Sequence, residues 1–198
     1  MRYIVHMPGR NFKKLFDIAA DNYGFVTVDD ARRVGIRPQR LVEMAARGAL
    51  RREGFGLYRL DPFPAHELDS YRMATLWPHG VEGVLSHETA LDLYSLSDVN
   101  PAKIHITVPK GYRVRHREMP ASYRLHHEDL NERDLTRFEG IPIVTAAKAI
   151  RQCHEAQFRR DLLRQALADA KQQGLINRRV YNELLEELEF DPAVAANR

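Results

Sequence analysis

The sequence predicts an α+β fold in two parts, a small N-terminal domain over residues 1–62 and a mixed α/β domain over residues 63–198. Near the N-terminus, apolar residues recur at helical spacing. They are followed by a Gly-X-Gly turn between two short predicted strands. Alternating runs rich in β-branched residues follow beyond residue 100. The boundary is predicted at residues 61–64, because the sequence Asp-Pro-Phe-Pro makes a stiff joint there.

The N-terminal domain is predicted to begin with two helices. An apolar stripe at spacing i, i+3, i+4 and i+7 marks the first, formed by Phe12, Leu15, Phe16 and Ala19. Thr27 is a good N-cap for the second, and Asp30 three residues later completes a capping box. Gly35 is expected to end this short helix, because glycine adopts the left-handed conformation without strain.

A third helix and a hairpin complete the domain. The third helix is predicted from Pro38, which suits a first helical turn, to Arg47. After it, two short strands are predicted around the turn Gly54-Phe55-Gly56. Helix, glycine-containing turn, helix and hairpin in this order predict a winged helix-turn-helix.

Positive charge is concentrated in this domain. Residues 1–60 carry 12 Lys and Arg against 6 Asp and Glu, whereas residues 61–198 carry 18 against 21. Such an asymmetry indicates a nucleic-acid-binding head, so we expect double-stranded DNA as a partner. Base contacts are expected from the start of the third helix, at Arg37, Gln39 and Arg40. Phosphate or minor-groove contacts are expected from Arg47, Arg51, Arg52 and Arg59. The alternative is a winged helix that packs against another protein.

The second domain carries one candidate partner-binding surface. Strands are predicted over residues 103–108, 113–117, 123–127 and 141–144, with helices before and after them. A strand over 113–117 would place its three arginines on one face and create a basic ridge. The ridge consists of Lys110, Arg113, Arg115 and Arg117. It fits either an acidic partner or an edge strand that is protected by charge.

The sequence offers little for catalysis or for a cofactor. His126 and His127 are adjacent, so on a strand they would point to opposite faces and would not share one metal ion. Asp134, Glu139 and Lys148 come nearest to a nuclease set, but their spacing alone is weak support. We therefore expect no enzyme activity, no metal and no cofactor. A single cysteine, Cys153, and the absence of long apolar runs suit a cytoplasmic protein without membrane association.

Four short segments follow one another along the chain. They are Gly-Phe-Gly-Leu-Tyr at 54–58, Leu-Ser-His-Glu-Thr-Ala-Leu at 85–91, Ile-His-Ile-Thr-Val-Pro at 104–109 and Gly-Ile-Pro-Ile-Val-Thr at 140–145. With the helix-turn-helix, they cover about residues 11–190. The order of these segments resembles that of the AbiEi antitoxins of type IV toxin–antitoxin systems.

The resemblance implies an antitoxin that binds its own promoter as an autorepressor and counters a nucleotidyltransferase-like toxin encoded beside it. Its partners would be the promoter DNA, with inverted repeats, and the toxin. The resemblance transfers no catalytic residues. Two alternatives stay open: a ligand-responsive winged-helix regulator without a toxin, and an intracellular enzyme with a DNA-binding head.

Overall fold

The computed structural model of the protein describes residues 10–114 and 119–190. They form two compact units, of which the first ends at Glu82 and the second begins at Gly83. Both units combine helices with a sheet, which confirms the predicted α+β fold. The elements of the first unit are α1 (Arg10–Ala20), β1 (Phe25–Thr27), α2 (Val28–Arg33), α3 (Pro38–Ala46), β2 (Leu50–Gly54), β3 (Leu57–Leu60) and α4 (Asp69–Leu76).

The first unit contains the predicted helix-turn-helix. The Thr27 hydroxyl accepts a hydrogen bond from the Asp30 amide at 3.0 Å, and the Asp30 carboxylate accepts one from the Thr27 amide at 2.8 Å. This capping box begins α2, and Gly35 follows the helix in the left-handed conformation, with φ of 78°. Pro38 is the first residue of α3, as predicted. A core of buried side chains joins α1, α2 and α3 to the sheet: Leu15, Ala19, Val26, Ala31, Ile36, Leu41, Met44, Leu50, Tyr58 and Leu60.

The sheet of the first unit is antiparallel and has the order β1-β3-β2. Strands β2 and β3 are the predicted hairpin, and Gly56 in its turn has φ of 67°. Two features favour glycine at position 56. The positive φ is strained for other residues, and a Cβ there would come within 2.7 Å of the His79 ring, which would have to shift. Strand β1 was not predicted, since three residues are too short to show an alternating pattern.

The first unit extends past the boundary predicted at residue 62. Helix α4 is tied to it by two buried arginines. Arg59 of β3 donates to the Asp69 carboxylate at 2.5 Å, and Arg72 of α4 donates to the Asn22 side chain. Arg72 also pairs with Glu82 at 2.6 Å. These contacts hold the segment after residue 62 against the winged helix, so the observed division comes at residue 82.

The second unit is built on a mixed five-stranded sheet with the order β6-β5-β4-β8-β7. Strands β5 and β6 are parallel, as are β4 and β8, and the other two neighbouring pairs are antiparallel. The predicted strands at β5, β6 and β8 are confirmed, whereas β4 and β7 were not predicted. The elements are β4 (Val84–Leu85), α5 (His87–Leu93), β5 (Ile104–Val108), β6 (Tyr123–His127), a 3₁₀ turn (Glu132–Asp134), β7 (Leu135–Phe138), β8 (Ile141–Val144), α6 (Ala146–Glu155), α7 (Arg160–Gln172) and α8 (Arg178–Glu187).

The strand predicted over residues 113–117 is wrong at its first two positions. Arg113 and Val114 lie outside any strand, after a turn in which the Tyr112 amide donates to the Pro109 carbonyl at 2.9 Å. That turn follows the end of β5. An alternating sequence pattern does not reveal such a turn. Residues 115–117 lie outside the described part of the chain.

Two helices of the second unit begin with a side-chain cap. The Thr145 side chain accepts from the Lys148 amide at the start of α6, and the Asn177 side chain accepts from the Val180 amide at the start of α8. Ser86 precedes α5, but its side chain does not cap the helix. Within residues 10–114 and 119–190, no helix has the length and apolar character needed to cross a membrane.

Candidate functional site

Helix α3 presents one buried face and one polar face. Leu41 and Met44 pack into the core of the first unit, which fixes the rotation of the helix about its axis. The opposite face exposes Arg37, Gln39 and Arg47, and Arg40 is half-exposed beside them. Sequence reasoning missed one residue on this face: Val42, which is 58% exposed. An exposed aliphatic side chain among arginines can contact the methyl group of thymine.

The wing carries two further exposed arginines, Arg51 and Arg52 of β2. Both are exposed because β2 is an edge strand and its register with β3 shifts between Arg52 and Gly54. The Arg51 guanidinium lies 2.6 Å from the Glu53 carboxylate, and Arg52 donates to the Gly54 carbonyl at 3.3 Å. Exposed contacts of this kind contribute little to stability, so a phosphate can replace the partner at little cost.

Arg40 has a similar local partner, because its guanidinium lies 2.6 Å from the Glu43 carboxylate. The two residues are three positions apart on α3, as exposed helical ion pairs often are. Arg37 is the N-cap of α3 and makes no side-chain capping bond. Arg37, Gln39, Arg40, Arg47, Arg51 and Arg52 are thus all accessible to a ligand of the first unit.

The prediction that Arg59 contacts DNA is wrong. Its side chain is in the interior, with the residue only 5% exposed. It donates to Asp69 and to the Pro64 carbonyl, each at 2.5 Å, and its guanidinium lies 4.9 Å from the centre of the Phe25 ring. The physical reason is that β3 is the central strand, with β1 and β2 along its two edges, and that the segment from Pro64 to Asp69 packs over the Arg59 side chain. Arg59 stabilises the unit and is unavailable to phosphates.

The basic ridge predicted in the second unit is not formed on a strand at Lys110 and Arg113. Lys110 and Arg113 are exposed but lie in a turn and in irregular chain, not on one face of a strand. The Lys110 amide donates to the Asp129 carboxylate at 3.0 Å. Arg115 and Arg117 lie outside the described residues.

Lys148, a member of the nuclease set considered from the sequence, has a carboxylate partner outside that set. The Lys148 ammonium pairs with Glu128, which also accepts from the Gln152 amide group at 2.6 Å. Cys153 is buried, and burial raises the pKa of its thiol, so it stays protonated.

The second unit instead brings together three histidines from three elements: His87 at the start of α5, His105 of β5 and His126 of β6. The His105 Nδ1 and His126 Nε2 atoms are 3.2 Å apart, and the His87 ring stacks on that of His126 at 3.6 Å between centres. A cavity of about 90 Å³ borders the three rings, together with Glu88, Arg124 and Cys153. We call these three residues the histidine cluster.

Buried hydrogen bonds hold the cluster in place. The Thr107 hydroxyl donates to Ser86 Oγ at 2.8 Å, and Ser86 Oγ lies 3.0 Å from His87 Nδ1. The His105 amide donates to Thr89 Oγ1 at 2.8 Å. His87 has a positive φ of 52°, a conformation uncommon for residues with a side chain and frequent at functional sites.

The cluster favours neutral imidazoles. Burial is the main cause, since it lowers the pKa of His87 to about 3 and the pKa values of His105 and His126 to about 4. The neighbouring rings lower the pKa of His87 further, and Arg124 does so for His126. His127, the next residue on β6, is exposed and lies near Tyr112 instead, which confirms that His126 and His127 occupy opposite faces.

The fold and the exposed face of α3 define the first unit as a winged helix-turn-helix, a class that places a helix in the major groove of DNA. Residues 13–60 match the family model described as "Transcriptional regulator, AbiEi antitoxin". This match confirms, for that segment, the resemblance predicted from the sequence.

The fold of the whole chain has a counterpart among solved structures. The chain is similar to the crystal structure of the RV2827C protein from Mycobacterium tuberculosis, with a TM-score of 0.51 and 17% sequence identity. The similarity covers 93% of this chain and 73% of the other. At this identity the similarity concerns the fold alone. None of the curated protein sequences compared with the chain matches it.

Proposed function

We propose that the protein binds the promoter of its own operon through α3 and the wing, represses transcription there, and acts as the antitoxin of a type IV system. The observation that carries the proposal is the match of residues 13–60 to AbiEi regulators, in a segment whose polar face is rich in exposed arginine. In this proposal Arg37, Gln39, Arg40 and Val42 contact bases, and Arg47, Arg51 and Arg52 contact phosphates.

The distribution of arginines within the first unit supports this assignment. Arg59 and Arg72 are buried and paired with acidic or amide partners of the same unit, so their role is structural. Arg40 of α3 and Arg51 of the wing pair only with nearby glutamates in the sequence. The core of the first unit contains none of the arginines of α3 or the wing. A surface that contributes little to stability and carries concentrated positive charge is what DNA binding requires.

The toxin-directed part of the proposal rests on family resemblance. The counterpart would be a nucleotidyltransferase-like toxin encoded next to this chain. The second candidate function, a ligand-responsive regulator without a toxin, is favoured by one observation: the second unit holds a cavity lined by the histidine cluster. In that case the second unit would sense a ligand and the first unit would bind DNA.

The DNA-binding part is tested by fluorescence anisotropy with the full chain on a labelled duplex from its own promoter and on a scrambled duplex of equal length. We expect the promoter to bind at least about 1000-fold more tightly, as is typical of specific recognition. A variant with Arg37, Arg40, Arg51 and Arg52 all replaced by alanine is expected to lose this preference. Arg179→Ala is the matched control, because Arg179 is an exposed arginine with a local glutamate partner in the second unit. Equal affinity for both duplexes would contradict the proposal.

The antitoxin part is tested by co-expression with the adjacent gene. Growth rescue by the wild-type chain supports an antitoxin, and rescue by the four-arginine variant separates protection from DNA binding. Promoter binding without any rescue would favour the regulator without a toxin.

A further inference from the structure

We propose that the second unit binds a divalent transition-metal ion, zinc by preference, between His87, His105 and His126. The inference is independent of the proposed function, because it concerns a different unit and different chemistry. No single stretch of sequence contains the site, since its three side chains come from α5, β5 and β6.

The distances suit a shared metal ion. The three histidines offer ring nitrogens that all lie within 4.8 Å of one another. A zinc–nitrogen bond is about 2.0–2.1 Å, so two nitrogens on a tetrahedral zinc ion are about 3.3 Å apart. His105 Nδ1 and His126 Nε2 are already 3.2 Å apart. His87 is stacked on His126 and would have to turn its ring toward the other two nitrogens.

Neighbouring polar groups leave one ring nitrogen of His87 and one of His105 for the metal. Ser86 occupies Nδ1 of His87, which leaves its Nε2. Glu88 Oε1 lies 3.9 Å from His105 Nε2, which leaves Nδ1 of His105, the atom that faces His126. Metal-bound histidines commonly donate their second ring N–H to a carboxylate or another acceptor, and such partners orient the ring and raise its basicity. Ser86 therefore acts as a positioning residue for His87, and Glu88 is proposed to do so for His105 after coming about 1 Å closer to accept a hydrogen bond.

The surroundings of the cluster select among metals and leave a position open. Imidazole nitrogens suit zinc, copper and nickel, whereas magnesium and calcium prefer oxygen ligands. His87 and His105 are only 8% and 5% exposed, so the site is largely shielded from water. Three protein ligands leave a fourth tetrahedral position, which the adjoining cavity accommodates. Arg124 lines the same cavity, and its positive charge favours water-derived hydroxide or a small anion at that fourth position.

The test uses the full chain after EDTA treatment and removal of the chelator. Titration with ZnCl₂ by isothermal calorimetry is expected to show one equivalent bound with submicromolar affinity. Addition of CoCl₂ is expected to produce the visible absorption of tetrahedral, nitrogen-ligated cobalt. His105→Ala and His126→Ala are expected to weaken zinc binding at least about 100-fold, and Glu88→Gln about 10–100-fold. His127→Ala is the matched control and is expected to bind like wild type, because His127 lies on the other face of β6.

Several outcomes would overturn the proposal. One is the absence of zinc binding and of a cobalt spectrum in folded wild-type protein. Another is undiminished binding in His105→Ala and His126→Ala, or an equal loss in His127→Ala. If an alanine variant fails to fold by circular dichroism, the wild-type cobalt spectrum and the Glu88→Gln titration decide, since Glu88 is half-exposed and glutamine preserves its shape. In that case a wild-type zinc affinity in Glu88→Gln would overturn the assignment of the ion to this cluster.

Discussion

The arginine face of the first unit and the histidine cluster of the second unit bind, in these proposals, by opposite physical means. The arginines are permanently charged, exposed and close together in sequence, and they act through long-range electrostatics. The histidines are neutral, buried and drawn from distant segments, and they act through short-range coordination. Solution conditions that weaken the first kind of site therefore leave the second nearly unchanged.

Salt is expected to separate the two sites most strongly. Three phosphate contacts per chain from Arg47, Arg51 and Arg52 predict a slope of about −2.7 for log K against log salt, and two chains on inverted repeats predict twice that. The slope for two chains corresponds to a loss of more than roughly 1000-fold in DNA affinity for a fourfold rise in salt. Zinc affinity is expected to change only a few-fold, because buried sites are screened much less. Anisotropy and calorimetry in the same salt series measure both. If the DNA affinity and the zinc affinity fell equally with salt, the proposed contrast between the two sites would be contradicted.

Removing the partner of a buried arginine is expected to have the next largest effect. Asp69→Ala leaves the Arg59 guanidinium in the interior without its carboxylate, which typically costs about 3–5 kcal/mol. Arg52→Ala, which removes an exposed arginine of the same unit, is expected to change the free energy of unfolding by less than about 0.5 kcal/mol. Urea denaturation of both variants measures the difference. A small loss in Asp69→Ala would mean that Arg59 is not the structural residue described above.

Single substitutions on α3 and on the wing are expected to have smaller and distinct effects on DNA binding. Arg40→Ala is expected to lower discrimination at one operator position by about 1–3 kcal/mol. Arg52→Ala is expected to weaken binding to all sequences alike and to reduce the salt slope by about 1. Binding of both variants to a set of operator mutants distinguishes the two patterns. If both variants lose affinity uniformly, the assignment of α3 to base contacts fails.

The elements of the winged helix could be predicted because their signals are local. Thr27 with Asp30, Gly35 and Pro38 each act within one helical turn, so their effects do not depend on the rest of the fold. The same reasoning failed for Arg59, because its burial depends on β1 and on α4, two elements that contact it from elsewhere in the chain. Charge alone does not distinguish an arginine that binds a ligand from one that stabilises a core.

The histidine cluster could not be predicted, because its geometry depends on strand pairing. His105 and Thr107 share one face of β5, and the parallel register places Thr107 opposite His126. The alternating patterns of β5 and β6 indicate which residues share a face within each strand. Only the register of the pair shows that the face of His105 adjoins the face of His126. His87 adds a further requirement, since its position depends on a positive φ and on the hydrogen bonds of Ser86.

The Arg59–Asp69 and Arg72–Asn22 contacts have a consequence for modular exchange of specificity. A chimeric regulator made by grafting residues 1–62 onto another body would cut both contacts, because it would leave Arg59 without the Asp69 carboxylate and Asn22 without Arg72. A graft that carries the chain through residue 82 keeps each cation with its partner. The transferable cassette of this protein is therefore longer than its recognition elements, and recombination that respects this limit can change the operator while preserving the stability of the head.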